Sequence, residues 1–199
     1  MTTYAGPMPQ PGGKTPAPGR LHVVQDFVNT HDIEAGTDVF DTAETLGRWL
    51  RRRALLDHGE RLHDATDLDL AAPLREALRT LCVANHDRRT PPPSAVATME
   101  AAARRAELTV MGDPHVGWRL HPQTVGLDRA LGRLVAIVYD AVRSDHWWRL
   151  KACSNGTCRW VFWDGSPNRA GRWCAMAICG NRAKVAAYRD RTEPGAPDD

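Results

Sequence analysis

Two cysteine pairs of equal spacing, Cys153 with Cys158 and Cys174 with Cys179, constrain this chain more than any other feature. Four of its five cysteines fall within these 27 residues. A tetrahedral zinc site needs four soft or borderline ligands from two short segments, and the two pairs supply them. Bound zinc favours thiolate over thiol, so four cysteinates close the tetrahedron and leave no position for water. A closed shell points to structure rather than catalysis, because a catalytic zinc keeps an open site with a proton-transfer group beside it. Asp164 and His146 are the nearest such groups, and neither sits in a motif.

The spacers carry local signals. Ser154-Asn155-Gly156-Thr157 is turn-prone and can fold the chain back on a metal. Cys174 and Cys179 are five apart, and five residues turn about 500° on a continuous helix. Cys174 is therefore expected just before a helical turn, with Gly180 permitting a local adjustment. Arg159-Trp160-Val161-Phe162-Trp163 is aromatic and β-prone, and should form a strand beneath the metal. A module this small has too little core to fold alone, so the metal should contribute much of its stability.

The chain has 199 residues, enough for one ordinary domain and a small accessory module. No apolar run approaches the ~18–20 residues of a membrane helix, and the first residues lack the order of a secretory signal. A cytoplasmic protein is expected, where thiols stay reduced and paired cysteines favour metal over disulfide. From Arg149 to Arg191 there are nine basic and two acidic residues, a net of +7, which leaves −5 for the rest of a chain of net +2. A basic C-terminal end joined to a mildly acidic body suggests that the end faces a polyanion.

Residues 1–20 are rich in proline and glycine, which predicts a disordered tail. A mainly α body is expected over 21–146, a four-cysteine zinc finger of β-knuckle, strand and helix over 147–191, and a second disordered tail over 192–199. In the body, Leu21, Val24, Phe27 and Val28 follow helical spacing. Asp41-Thr42-Ala43-Glu44 reads as a capping box opening a second helix. A third helix is expected from about Asp69 with Pro73 in its first turn, and Cys82 on its apolar face. Ser94 is expected to cap a fourth. Glu107 to Met111 and Gly117 to His121 form a candidate hairpin. Leu127 to Ser144 is the clearest helix, with an apolar stripe from Leu127 to Val142. No glycine-rich phosphate loop, nucleophile elbow or paired-carboxylate motif is found, so an enzyme is not expected.

Cys179-Gly180-Asn181-Arg182 spells the motif of the CGNR zinc-finger family of bacterial proteins. Trp160-Val161-Phe162-Trp163-Asp164, Asn168-Arg169 and Arg172-Trp173-Cys174 also resemble that family's pattern. Upstream, Asp26-Phe27-Val28-Asn29-Thr30 and Leu46-Gly47-Arg48-Trp49-Leu50 resemble the ABATE-type helical domain that precedes this finger. The resemblance implies a bacterial transcription regulator with Cys153, Cys158, Cys174 and Cys179 as the metal ligands and Zn2+ as the metal. Ala170-Gly171 departs from the more basic or polar pair expected there.

Asn181 to Arg191 reads as a helix, with Val185 and Tyr188 turned toward the finger. A basic helix after a zinc knuckle can enter a major groove of double-stranded DNA. The candidate DNA contacts are Arg169, Arg172, Asn181, Arg182, Lys184, Arg189 and Arg191. Asn181 and Arg182 have a competing reading, as a helix cap or as donors to the cysteine sulfurs. A protein-interaction or RNA-binding module is the alternative, with Trp147, Trp148, Trp160 and Trp163 as anchors. The helical body is a candidate sensor of a small-molecule ligand or partner, with Asp26, Asn29 and Thr30 as a candidate pocket.

Overall fold

The computed structural model describes residues 6–62, 65–115 and 117–192. Among the described residues, six α-helices and three short antiparallel strand pairs follow in order. They are α1 (Leu21–Val28), β1 (His31–Asp32), β2 (Thr37–Asp38), α2 (Ala43–Arg52), α3 (Ala65–Asp87) and α4 (Pro93–Arg105). The remainder are β3 (Thr109–Asp113), β4 (Gly117–His121), α5 (Gly126–Arg143), β5 (Leu150–Ala152), β6 (Val161–Trp163) and α6 (Asn181–Thr192). The mainly α class with a small finger holds. Among the described residues no helix is long and apolar enough to cross a membrane.

The centre is α3, which packs against α1, α2, α4, α5 and β5. It turns Leu74, Leu78 and Cys82 into the core, all buried. Burial holds the Cys82 thiol up, well away from ionisation. α1 is buried on every side, as its mixed apolar sequence requires. Phe27 meets Phe40 and Trp49 with ring centroids 5.7 Å from each, and Phe40 stands edge-on to Trp49.

Several local expectations shift. The α2 cap is Thr42 rather than Asp41: its side chain accepts from Thr45 N, and the Thr45 hydroxyl accepts from Thr42 N. Glu44, expected to close that box, instead pairs with Arg48 one turn on. α3 extends to Ala65, so Pro73 lies inside the helix rather than in its first turn. α4 starts at Pro93 with Pro92 as its cap, because proline at the first position needs no donor. Ser94 is inside that helix. The β3–β4 hairpin forms in the register Thr109 to His121 and Asp113 to Gly117.

Residues 6–20 are not a loose tail. Met8 N donates to the Asp26 carboxylate at 3.1 Å, Ala17 N to Gln25 Oε1 at 2.8 Å, and Arg53 Nη1 to the Gly6 carbonyl at 2.7 Å. Proline lowers the entropy lost on ordering, and buried polar groups of α1 and α2 provide partners for the arm's backbone. Thr192, predicted to begin the second tail, ends α6, and the rest of the predicted tails, residues 1–5 and 193–199, lies outside the described residues.

The finger shares the body's core. Trp147, Leu150, Ala152 and Val161 belong to the same buried cluster as α1, α3 and α5. A second cluster gathers the four finger cysteines with Phe162 and Ala175, flanked by Trp160 and Trp173. β5 and β6 therefore present one side to the helices and the other to the cysteines.

Candidate metal centre and its basic surroundings

Cys153 follows β5, Cys158 closes the turn before β6, Cys174 precedes a π-helical turn over Met176–Gly180, and Cys179 lies within that turn. The wider turn resolves the five-residue spacing, since it brings Cys179 round to the side of Cys174. Gly180 fits the tight geometry: a Cβ there would meet the Met176 sulfur and approach Trp173 Cδ1 to 3.2 Å.

All four sulfurs are buried and lie within 4.8 Å of one another. Cys158 to Cys174 and Cys174 to Cys179 are each 3.7 Å apart. A tetrahedron with metal–sulfur bonds of ~2.3 Å places its corners about 3.8 Å apart, so the quartet fits a tetrahedral thiolate site. Electrostatics point the same way. Sharing a proton network with Cys158 and Cys174 draws the Cys153 thiol down, and the Cys153 sulfur in turn pushes the other two up. Four such groups cannot all be thiolate without a cation among them. The donor set and its geometry accept a metal ion.

The turn at Asn155 supports the site in ways its sequence had not singled out. Its carbonyl accepts from Cys158 N and Arg159 N at 3.0 Å, and its Oδ1 accepts from Thr157 N and Oγ1. Its Nδ2 lies 3.8 Å from Cys179 Sγ, the donor role for which Asn181 was a candidate. Asn181 Nδ2 bonds the Ala177 carbonyl instead.

The loop between the pairs is braced by Asp164, a buried residue whose carboxylate accepts from Lys151 Nζ at 2.8 Å, Ser166 Oγ at 2.6 Å and Gly171 N at 2.8 Å. Burial would raise this carboxyl, but those hydrogen bonds outweigh it and hold it at about 2. The departure at Gly171 has a steric cause: a Cβ there would stand 2.7 Å from Asp164 Oδ1.

The predicted DNA contacts separate into two groups. Arg169 pairs with Asp145 at the end of α5, and Arg172 lies over the Trp173 ring at 5.4 Å. Asn181, Arg182, Lys184, Arg189 and Arg191 all lie on α6. Arg182 pairs with Glu34 in the β1–β2 turn, while Lys184 and Arg189 are exposed. The Arg191 side chain is outside the described residues. Val185 and Tyr188, expected to face the finger, are 49 % and 63 % exposed. α6 packs chiefly on the π turn before it, so little of the finger is there to cover them. Of the four tryptophans, Trp147 is buried, Trp160 and Trp163 are half-buried, and Trp148 is 47 % exposed.

Asp26, Asn29 and Thr30 are buried and spend their polar groups internally. Asp26 pairs with Arg53 at 2.8 Å, and its burial outweighs that pairing to raise its carboxyl. Asn29 bonds Val161 twice, and Thr30 Oγ1 donates to the Phe27 carbonyl. The side chains that grip the finger were not legible as such. Arg79 Nη1 donates to the Arg159 carbonyl at 3.1 Å and Nη2 to the Val28 and His31 carbonyls. Asn85 donates to the Trp147 and Leu150 carbonyls, and the Ser154 hydroxyl lies 2.6 Å from His86 Nε2.

Comparison with curated proteins finds no match. A family model described as CGNR zinc finger matches residues 149–192, which contain the cysteine quartet. A second, the ABATE model described as "Putative stress-induced transcription regulator", matches residues 21–145, more than half of the chain. With its helical body and four-cysteine finger arranged in that order, the chain belongs to the ABATE family, with a CGNR zinc finger at its C-terminal end.

Proposed function

We propose that the chain is a DNA-binding transcription regulator whose finger holds Zn2+ and presents α6 to double-stranded DNA. The observation that carries this reading is the coupling of the cysteine quartet to α6. Cys179 is a candidate ligand inside the π turn, and α6 continues directly from that turn. A metal held by the four sulfurs supplies a rigid base for the helix. The chain's own residues do the rest. Lys184, Arg189 and Arg191 offer cations to phosphate oxygens, which gives affinity and salt dependence. Asn181 stands at the start of the helix, where a side chain can meet a base edge. Arg182 pairs with Glu34 and so links the first turn of α6 to the β1–β2 turn of the body.

The alternative reading, a protein-interaction surface, is favoured by the exposed Ile178, Val185 and Tyr188. Titration of a labelled duplex over a series of salt concentrations separates the two. Replacing Lys184, Arg189 and Arg191 with alanine should weaken DNA binding and flatten the slope of log K against log salt by about 0.9 for each phosphate no longer neutralised. Unchanged affinity and slope in that variant would exclude this face as the DNA-binding surface.

A further inference from the structure

Between the end of α3 and the finger loop 166–172 lies a cleft with two lobes, about 430 Å³ and 290 Å³ in volume. Arg88, Lys151 and Arg169 line both lobes. Arg89 and Trp148 extend the outer one, and His86 and Arg172 the inner one. Together they reach the size of a small-molecule site, roughly 300–1,000 Å³.

The charge in this cleft is unbalanced. Lys151 is matched by Asp164 and Arg169 by Asp145. Arg88, Arg89 and Arg172 have no carboxylate partner among the described residues: Arg88 reaches the Arg169 carbonyl at 3.5 Å, and Arg172 lies over Trp173. Asp87, the acid next in sequence, lines neither lobe. Guanidinium forks on a concave wall match phosphate oxygens in pairs. The floor is firm, because Lys151 Nζ also holds the Arg169 carbonyl at 2.5 Å. The half-exposed indole of Trp148 adds a flat apolar face, and bases stack on such faces whatever their identity. The buried Nδ1 of His86 also lacks a partner among the described residues.

We propose that this cleft binds a nucleoside polyphosphate, with Arg88 and Arg172 on the phosphates in the inner lobe and Trp148 with Arg89 against the base in the outer lobe. One wall belongs to α3 and the other to the finger loop. An occupant therefore touches both parts of the protein and can shift how they are held together. None of these residues lies on α6, so the assignment stands apart from the DNA-binding reading.

Calorimetric titration of the metal-loaded full chain tests it with ATP, pyrophosphate and adenosine. ATP should bind, pyrophosphate should bind more weakly, and adenosine should give no heat. The double variant Arg88→Ala, Arg89→Ala should lose about tenfold or more in ATP affinity, with metal content and thermal midpoint unchanged. Trp148→Leu should weaken ATP and leave pyrophosphate as it was. No heat from either ATP or pyrophosphate would overturn the proposal, as would full ATP affinity in the double variant. If that variant loses duplex DNA binding while the wild type ignores ATP, the cleft is a nucleic-acid backbone site and the proposal fails.

Discussion

Asn29 and Val161, 132 residues apart, hold each other through two hydrogen bonds of 2.8 Å: Asn29 Nδ2 donates to the Val161 carbonyl and Val161 N donates to Asn29 Oδ1. The amide imitates a strand neighbour, so the end of α1 completes the edge of β6. Both residues are buried, and no water can replace either bond cheaply.

Asn29→Ala should therefore destabilise the protein by about 2–3 kcal/mol, mostly through the orphaned Val161 N–H. The Val161 carbonyl keeps a weaker partner in Gln25 Nε2 at 3.3 Å. Asn29→Asp should be no better, since a carboxylate would face that carbonyl. Urea denaturation of the two variants measures the loss, and an unchanged midpoint in Asn29→Ala would contradict it.

The cysteine quartet predicts one tetrahedral metal per chain. Reduced protein should contain a single equivalent of zinc by elemental analysis. Cobalt substituted in its place should give the absorption of a tetrahedral four-thiolate site. Any one of Cys153→Ser, Cys158→Ser, Cys174→Ser or Cys179→Ser should weaken retention, whereas Cys82→Ser should leave it intact, because Cys82 is packed away on α3. Acid should release the metal as protons compete for the sulfurs.

Asp164 and Lys151 form a pair in which both side chains are buried. Asp164→Asn strands the ammonium and should cost about 3–5 kcal/mol, while replacing both residues by apolar groups should cost less. The sign with pH follows from the depressed carboxyl. Its stabilisation is present above the ordinary value of 3.8 and is lost as the pH falls through about 2. The gap in urea midpoint between wild type and Asp164→Asn should close over that window. Comparing the two proteins cancels the metal loss they share.

The elements that could be read from the sequence are those whose signal is local. The apolar stripe of α5, the turn at Ser154 to Thr157 and the paired cysteines each announce themselves within a few residues. The helix break at Cys174 followed from 3.6-residue geometry alone. What was hidden depends on distant partners. Asn29 looks like any polar residue at a helix end until Val161 arrives beside it. Arg79 and Asn85 sit in no motif and carry no local signal, yet they bind backbone carbonyls around the finger. The basic residues of 149–191 look like one surface in the sequence, but the fold buries Lys151 against Asp164, sends Arg169 and Arg172 toward the end of α3, and sets only Arg182, Lys184, Arg189 and Arg191 along α6.

The proline-rich arm shows the same dependence and yields a last prediction. Gln10 is buried, and its Oε1 accepts from Gln25 Nε2 at 2.7 Å and Trp160 Nε1 at 3.3 Å. Gly12 adopts a left-handed conformation with φ 65°, and a Cβ there would sit 3.1 Å from the Ala175 Cβ. Lys14 lies 4.7 Å above the Phe162 ring. The arm thus passes over the turn between Cys174 and Cys179, and Pro9 and Pro11 help to line the hollow beside these sulfurs. Gln10→Ala should cost about 1–2 kcal/mol, because it leaves two donors short of an acceptor. Removing residues 1–14 should go further and speed the transfer of zinc to an excess of chelator, since extraction follows local opening of the site. Equal transfer rates for the full and shortened chains would show that the arm packs on the finger without guarding its metal.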